Sequence, residues 1–227
     1  MHLPISDKIE LNILHQNSHQ AEKNKVKFNN YNLLCLNIMS SPGAGKTRLL
    51  EITLEDLSKK FHSAVLEGDM TTNLDAARLE KLNIPVVPIT TGRACHLDAN
   101  MVSGGLKLLE KKINPDLLDI LLVENVGNLV CPAEFEIGEH FKVALLSITE
   151  GEDKPLKYPI MFREADLILI TKVDLLPHLN FDINELKSNI ASTNPKADVI
   201  EISSITKFGF DLWQDWISKK ILKFKNN

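Results

Sequence analysis

Ser40-Ser41-Pro42-Gly43-Ala44-Gly45-Lys46-Thr47 decides the fold of this 227-residue chain. An apolar run over 33–39 precedes it, and the pattern of a leucine-bearing helix follows from Arg48. The order is strand, glycine-rich turn, helix. Backbone N–H groups of such a turn converge on phosphate oxygens, and the positive end of the helix adds to their pull. Lys46 is placed to reach the outer phosphates and the Thr47 hydroxyl to ligate magnesium. Pro42, Gly43, Ala44, Gly45, Lys46, Thr47 and Arg48 are therefore the candidate residues for binding a nucleoside triphosphate. The usual pattern begins with glycine, and Ser40 stands there instead. A plain glycine turn is the alternative, but the Gly-Lys-Thr ending and the flanking periodicity argue against it.

Working outward, further strand-like runs lie at 64–66, 86–89, 119–123, 143–148, 167–170 and 198–202. Helical patterns lie between them at 48–61, 74–82, 97–113, 183–193 and 210–224. Short, nearly continuous apolar strands separated by amphipathic helices are what a parallel sheet covered on both faces requires. The prediction is an α/β fold of the P-loop NTPase kind, a mostly parallel sheet with its ligand at the carboxyl ends of the strands. Residues 1–30 are polar, with only Ile9, Ile13, Leu14 and Ala21 hinting at a stripe, and read as a surface helix or a loosely held arm. Residues 31–227 read as one nucleotide-binding domain, a size that buries a substantial core.

Composition removes several classes of function. A net charge of −4 gives no electrostatic reason to bind nucleic acid or an anionic membrane. No run approaches the ~20 apolar residues that span a bilayer, and the start (Met1-His2-Leu3-Pro4, then Asp7, Lys8 and Glu10) does not read as a secretory signal. Three widely spaced cysteines argue against a disulfide framework and fit a reducing cytoplasm.

Thr171-Lys172-Val173-Asp174 ends the run at 167–170, where ligands of such sheets bind. Guanine presents two donors on one edge, which the Asp174 carboxylate can accept together, whereas adenine would leave the carboxylate partly unpaired. The Lys172 stem can lie over the purine face. GTP is favoured over ATP. Asp69 and Glu124 close two other strand runs on the same edge and are candidate magnesium ligands. Glu124 is the stronger, since an idle acid after a buried strand is costly. Asp69 could instead cap the helix near Leu74. Gly151-Glu152-Asp153-Lys154-Pro155 reads as a solvated turn near that edge.

Cys95 and His96 are adjacent in Thr91-Gly92-Arg93-Ala94-Cys95-His96-Leu97-Asp98, and Cys131 follows Glu124 in Val130-Cys131-Pro132. Thiolate and imidazole suit zinc or nickel. Three groups leave a tetrahedral site open, which a two-fold partner could complete with the same residues. Taken singly, Cys131 is as well explained as a small core residue and His96 as a helix-cap histidine. Cys35, inside the first strand, is assigned to the core.

The stretches SSPGAGKT, TGRACHLDA, ENVGNLVCP, GEDKPLKYP and TKVDLL, in this order, resemble the HypB family of hydrogenase nickel-incorporation GTPases over about 32–216. The resemblance implies a SIMIBI-class P-loop GTPase that dimerises face to face when GTP binds. It also implies nickel delivery to the precursor of the [NiFe]-hydrogenase large subunit, with a HypA-type nickel chaperone as partner. Cys95, His96 and Cys131 then correspond to the metal site at the dimer interface, holding nickel and/or zinc. Lys154 is similar to a residue that acts across the dimer, which adds it to Lys46 and Asp69 as a catalytic candidate. Ser203 stands in the loop that contacts the base, and Ser40 begins the phosphate loop in this family too.

The chain has neither the Cys-rich nickel motif nor the His-rich tract of some family members. It carries only His2, His15 and His19 near its start, so one strong transition-metal site is expected. No general base is evident, and hydrolysis is expected to be slow. A urease-type metallochaperone is the near alternative, although that family has Cys-Pro-His where Cys95-His96 is contiguous. A P-loop kinase of a small molecule, with structural cysteines, is the alternative of another class.

Overall fold

The computed structural model describes residues 5–70 and 74–226, with side chains from residue 12 onward. Among the described residues, seven strands form one sheet: β1 (Leu34–Ser40), β2 (Ser63–Asp69), β3 (Val86–Thr90), β4 (Ile120–Glu124), β5 (Phe141–Ser147), β6 (Leu167–Thr171) and β7 (Asp198–Ile202). All neighbours are parallel, in the order β3-β2-β4-β1-β5-β6-β7. The first strand is thus central, and every carboxyl end points to one edge. The helices are α1 (Ile5–Asn30), α2 (Lys46–Leu57), α3 (Leu74–Glu80), α4 (Ala99–Lys112), the short α5 (Cys131–Glu134), α6 (Lys154–Lys157) and α7 (Pro159–Arg163), then α8 (Ile183–Thr193) and α9 (Phe210–Lys225).

Alternation along the strands divides the apolar side chains between two faces. Leu34, Leu36 and Ile38 of β1 join Val65, Leu122 and Leu145 against Leu50 and Leu54 of α2 and Trp213 and Ile217 of α9. On the other face, Cys35, Leu66 and Leu121 pack against Phe28 of α1 and Leu106 and Leu109 of α4. Ala144, Leu146 and Ile170 of that face meet Phe162 of α7 and Leu186 and Ile190 of α8. Trp213 is fully buried, and its indole N–H donates to the Thr53 hydroxyl at 2.8 Å, so its polar atom is not stranded. Truncating such an aromatic costs about 3–5 kcal/mol. No helix among the described residues is long and apolar enough to cross a membrane.

Several boundaries differ from the sequence reading where polar residues do structural work. The strand read at 64–66 continues to Asp69 because Glu67, Gly68 and Asp69 keep pairing with β3. Likewise Glu124 is the last residue of β4, opposite Ile38 and Glu67, rather than the residue after it. The helix read from 97 starts at Ala99, with the Asp98 carboxylate capping the Met101 N–H at 2.7 Å. The N-terminal helix docks by a stripe that shares only Ala21 with the expected one among the described side chains that are buried. Ile13 is exposed, while Asn17, Ala21, Asn24 and Phe28 are buried. Asn17 donates to the Glu136 carbonyl and accepts from the Ala99 N–H, and Asn24 donates to the carbonyls of Ala99 and Ile137. Ile9 lies outside the described side chains. Carboxamides that bind backbone are invisible to an apolar periodicity.

Candidate nucleotide and metal sites

The phosphate loop leaves β1 at Ser40 and enters α2 at Lys46. Gly43 and Gly45 hold φ of 77° and 99°, the left-handed region that favours glycine. A Cβ at either position would meet nothing within 4 Å. Their requirement is conformational, and the space beside them is open for a ligand. The opposite is true of Gly127, whose Cβ would lie 2.9 Å from Pro42 Cα. The segment after β4 therefore packs directly on the phosphate loop.

A cavity of about 450 Å³ opens on this loop, lined by Pro42, Gly43, Gly45, Lys46, Thr47 and Arg48, by Glu67 and Asp69 of β2, and by Glu124 to Gly127. Lys46 is buried, and among the described residues its ammonium donates only to the Ser40 hydroxyl, at 2.9 Å. Burial lowers its pKa, while Glu124 and other carboxylates around the cavity oppose the shift. A buried cation with only a neutral hydrogen-bond partner is a ready site for a phosphate oxygen. Arg48 is half-exposed and pairs with Glu51 at 3.1 Å on the rim.

Thr47 donates its hydroxyl to Glu124 Oε1 at 2.6 Å. Glu124 Oε2 is buried without a hydrogen-bond partner, and so is Oε2 of Glu67 on the adjacent strand. Burial pushes the Glu124 carboxyl up to about 7, against the Thr47 hydrogen bond and Lys46, which lower it. Glu67 is pushed up to about 8, by burial first and by Glu124 second. Two orphaned carboxylate oxygens beside a threonine hydroxyl are hard donors suited to magnesium. Asp69 also lines the cavity, and its carboxylate accepts from the Met70 N–H at 2.6 Å. Glu67 escaped the sequence reading. Its signal was an acid inside a strand, two residues before the acid that was chosen.

On the other side of β1, the loops after β6 and β7 carry the residues expected from the sequence to face a base. The Ser203 hydroxyl donates to Asp174 Oδ1 at 2.6 Å, and the N–H groups of Ile205 and Thr206 donate to the same serine oxygen. Asp174 and Ser203, 29 positions apart, thus face one another. Lys172 takes φ of 62°. The Thr171 hydroxyl donates to the Ala44 carbonyl at 2.9 Å, tying this loop to the phosphate loop. Lys154 does not line the cavity. It starts α6, with its ammonium 5.5 Å from the Tyr158 ring centroid.

Cys95, His96 and Cys131 converge, with their ligand atoms within 4.8 Å of one another. Cys95 Sγ lies 3.2 Å from Cys131 Sγ and 3.7 Å from His96 Nδ1. The His96 ring rests on Phe135 at 4.2 Å between centroids. Burial lowers the His96 pKa, so the imidazole is held neutral, as a metal ligand must be. Burial raises the Cys131 thiol, and the Cys95 sulfur adds to it. All three are half-buried, an accessible soft donor set. Cys35 is fully buried in the core, apart from them.

The chain is similar to known proteins over most of its length. The family model for the CobW/HypB/UreG nucleotide-binding domain matches residues 34–201. The hydrogenase maturation factor HypB of Azotobacter vinelandii is 48% identical over 214 residues, covering 94% of this chain and 69% of that protein. The chain belongs to the HypB family. The probable hydrogenase maturation factor HypB of Methanocaldococcus jannaschii is 38% identical, covering 99% of this chain and all of that protein. The crystal structure of Helicobacter pylori HypB in complex with nickel aligns with a TM-score of 0.87 at 39% identity, covering 92% of this chain and 96% of that one. This HypB-family chain therefore has the P-loop α/β fold expected from its sequence.

Proposed function

We propose that this chain is a GTP-hydrolysing nickel metallochaperone for [NiFe]-hydrogenase maturation, in which GTP-driven dimerisation gates metal binding and transfer. The observation that carries this reading is the convergence of Cys95, His96 and Cys131 on the sheet edge that bears the phosphate cradle. The nickel complex of the Helicobacter pylori relative supports nickel as the cargo. Zinc suits the same donors and is the natural competitor.

Lys46 and the loop N–H groups hold the triphosphate, and Asp174 with Ser203 selects guanine. Magnesium, held by Thr47 and Glu124 with Asp69 and Glu67 nearby, would neutralise phosphate charge as leaving-group charge develops. Lys46 stabilises the same charge. Among the described residues none is evident as a general base in the cavity, and hydrolysis is slow, with the partner's Lys154 as the group that acts in trans. Three donors leave a tetrahedral metal site open, and a two-fold partner supplies the remainder. Hydrolysis loosens that dimer and frees nickel for a HypA-type chaperone and the hydrogenase large-subunit precursor, in the cytoplasm.

Linkage makes the gating reciprocal: if GTP tightens nickel binding, nickel tightens GTP binding by the same factor. The test is nickel affinity measured with and without a non-hydrolysable GTP analogue, and equal affinities sink the gating. Cys95→Ala and Cys131→Ala should each abolish tight metal binding and leave GTP hydrolysis largely intact.

A further inference from the structure

The segment at 91–98, which carries Cys95 and His96, is neither helix nor strand. The Leu97 side chain anchors it in the core, and the ties of its backbone lead to the nucleotide side. The Thr91 N–H donates to the Asp69 carbonyl at 2.8 Å. The Asn128 carboxamide donates to the Cys95 carbonyl at 3.4 Å. The Leu97 N–H, directly after His96, donates to Asn125 Oδ1 at 2.9 Å.

Asn125 is fully buried and immediately follows Glu124. Its backbone N–H donates to the Ile38 carbonyl at 3.0 Å, so β1, which ends in the phosphate loop, fixes it. Oδ1 accepts a second bond, from the Val126 N–H at 2.9 Å, and Nδ2 donates to Asn37 Oδ1 at 3.2 Å. Asn37 in turn donates to Glu139, which holds its orientation. Two residues on, Gly127 packs against Pro42 of the phosphate loop. One side-chain oxygen therefore joins the segment leaving the magnesium-side carboxylate to the amide beside a metal ligand. Any movement of 124–127 on nucleotide binding must either carry Leu97 with it or break a buried hydrogen bond.

We propose that Asn125 is the positioning residue that transmits nucleotide state to the Cys95/His96/Cys131 site, through its bond to the Leu97 N–H. This deepens the GTP-gated reading and rests on it. Asn125 lies in the cavity wall, but its carboxamide is taken up by Leu97, Val126 and Asn37. It sets where the 91–98 segment sits relative to Cys131, which enters from the end of the segment that Asn125 begins.

The test uses the full chain and measures nickel(II) affinity with and without magnesium and a non-hydrolysable GTP analogue. Site couplings of this kind are about 5- to 150-fold. In Asn125→Ala, saturating analogue should cease to change nickel affinity, while nickel binding without analogue stays close to wild type. Asn37→Ser removes the other partner of the same carboxamide but leaves the Leu97 bond. It should lower the melting temperature yet preserve the coupling. A wild-type coupling that survives in Asn125→Ala overturns this assignment and leaves the gating intact. Coupling lost equally in both variants makes the role structural and overturns it too. Equal nickel affinities in the wild type remove the gating itself, and with it anything for Asn125 to transmit. Should Asn125→Ala not fold, hydrogen exchange of the wild-type Leu97 amide decides: its protection should change when the analogue binds without nickel, and unchanged protection refutes the proposal.

Discussion

Replacing Glu67 with glutamine should flatten the pH dependence of stability of the protein free of metal and nucleotide. The Glu67 carboxyl is 2% exposed, one of its oxygens has no hydrogen-bond partner, and burial with Glu124 alongside pushes it up to about 8. In the unfolded chain it titrates near 4.5. Between these values the folded state keeps a proton that the unfolded state has lost. Its contribution to stability is complete below 4.5 and is lost as pH rises through about 8. His140 runs the other way. Burial pushes it down to about 4, so it costs stability only as pH falls below its usual 6.5. The window from pH 6.5 to 8 therefore isolates the carboxyls. At about 1.4 kcal/mol per pH unit, Glu67 loses at most about 2 kcal/mol across it, or about 4–8 °C in melting temperature for a chain of this size. Glu124, pushed up to about 7, adds a loss of the same sign that remains in the variant. Thermal melts in EDTA at several pH values should show the wild type falling more steeply than Glu67→Gln by about that amount. Parallel curves, or a wild type that gains stability over this window, would refute the reasoning.

Asp174→Asn leaves one acceptor oxygen for the two guanine donors of the proposed contact and sets an NH2 group against the other, which should weaken GTP by about 1–3 kcal/mol, with the preference over ATP shrinking in a competition assay. Gly127→Ala drives a Cβ to 2.9 Å from Pro42 Cα; the displaced phosphate loop should bind a fluorescent GTP analogue about 1–3 kcal/mol more weakly, and unchanged affinity would show that the loop yields freely. Asn24→Ala unpairs the carbonyls of Ala99 and Ile137, which should cost about 1–3 kcal/mol in urea unfolding.

The parts of the site that were legible in the sequence are those whose chemistry is local. The phosphate loop needs glycines at fixed offsets because only certain φ values close the turn, and Gly43 and Gly45 hold those values. Ser203, and the role of Cys95 with Cys131, came from the family resemblance; the structure brings Asp174 to Ser203 and Cys95 to Cys131, 36 positions apart. What stayed hidden works through backbone partners. Asn125 binds the Leu97 N–H, and Asn17 and Asn24 bind carbonyls and an N–H of elements far along the chain. An asparagine in a polar stretch gives no sign of such a partner, because every residue offers the same amide. Glu67 was hidden for a related reason. Its burial depends on β3 and β4 flanking β2, and strand order is not written in local periodicity.

Strand order also explains why this sheet can join two sites. With β1 central, the carboxyl ends of β2, β3 and β4 gather on one side of the phosphate loop, and those of β6 and β7 on the other. The base side is tied to the loop by the Thr171 bond to Ala44. The segment with Cys95 and His96 is tied to Asp69, the last residue of β2, and to Asn125 and Asn128 after β4, the strands that also carry Glu67 and Glu124. Cys95 and His96 sit on a segment without a hydrogen-bond ladder, held by a few backbone bonds of about 1 kcal/mol each and by the buried Leu97 side chain. If a nucleotide moves the residues that follow β4, a segment tied to them through Asn125 and Asn128 follows more readily than a strand in a ladder would.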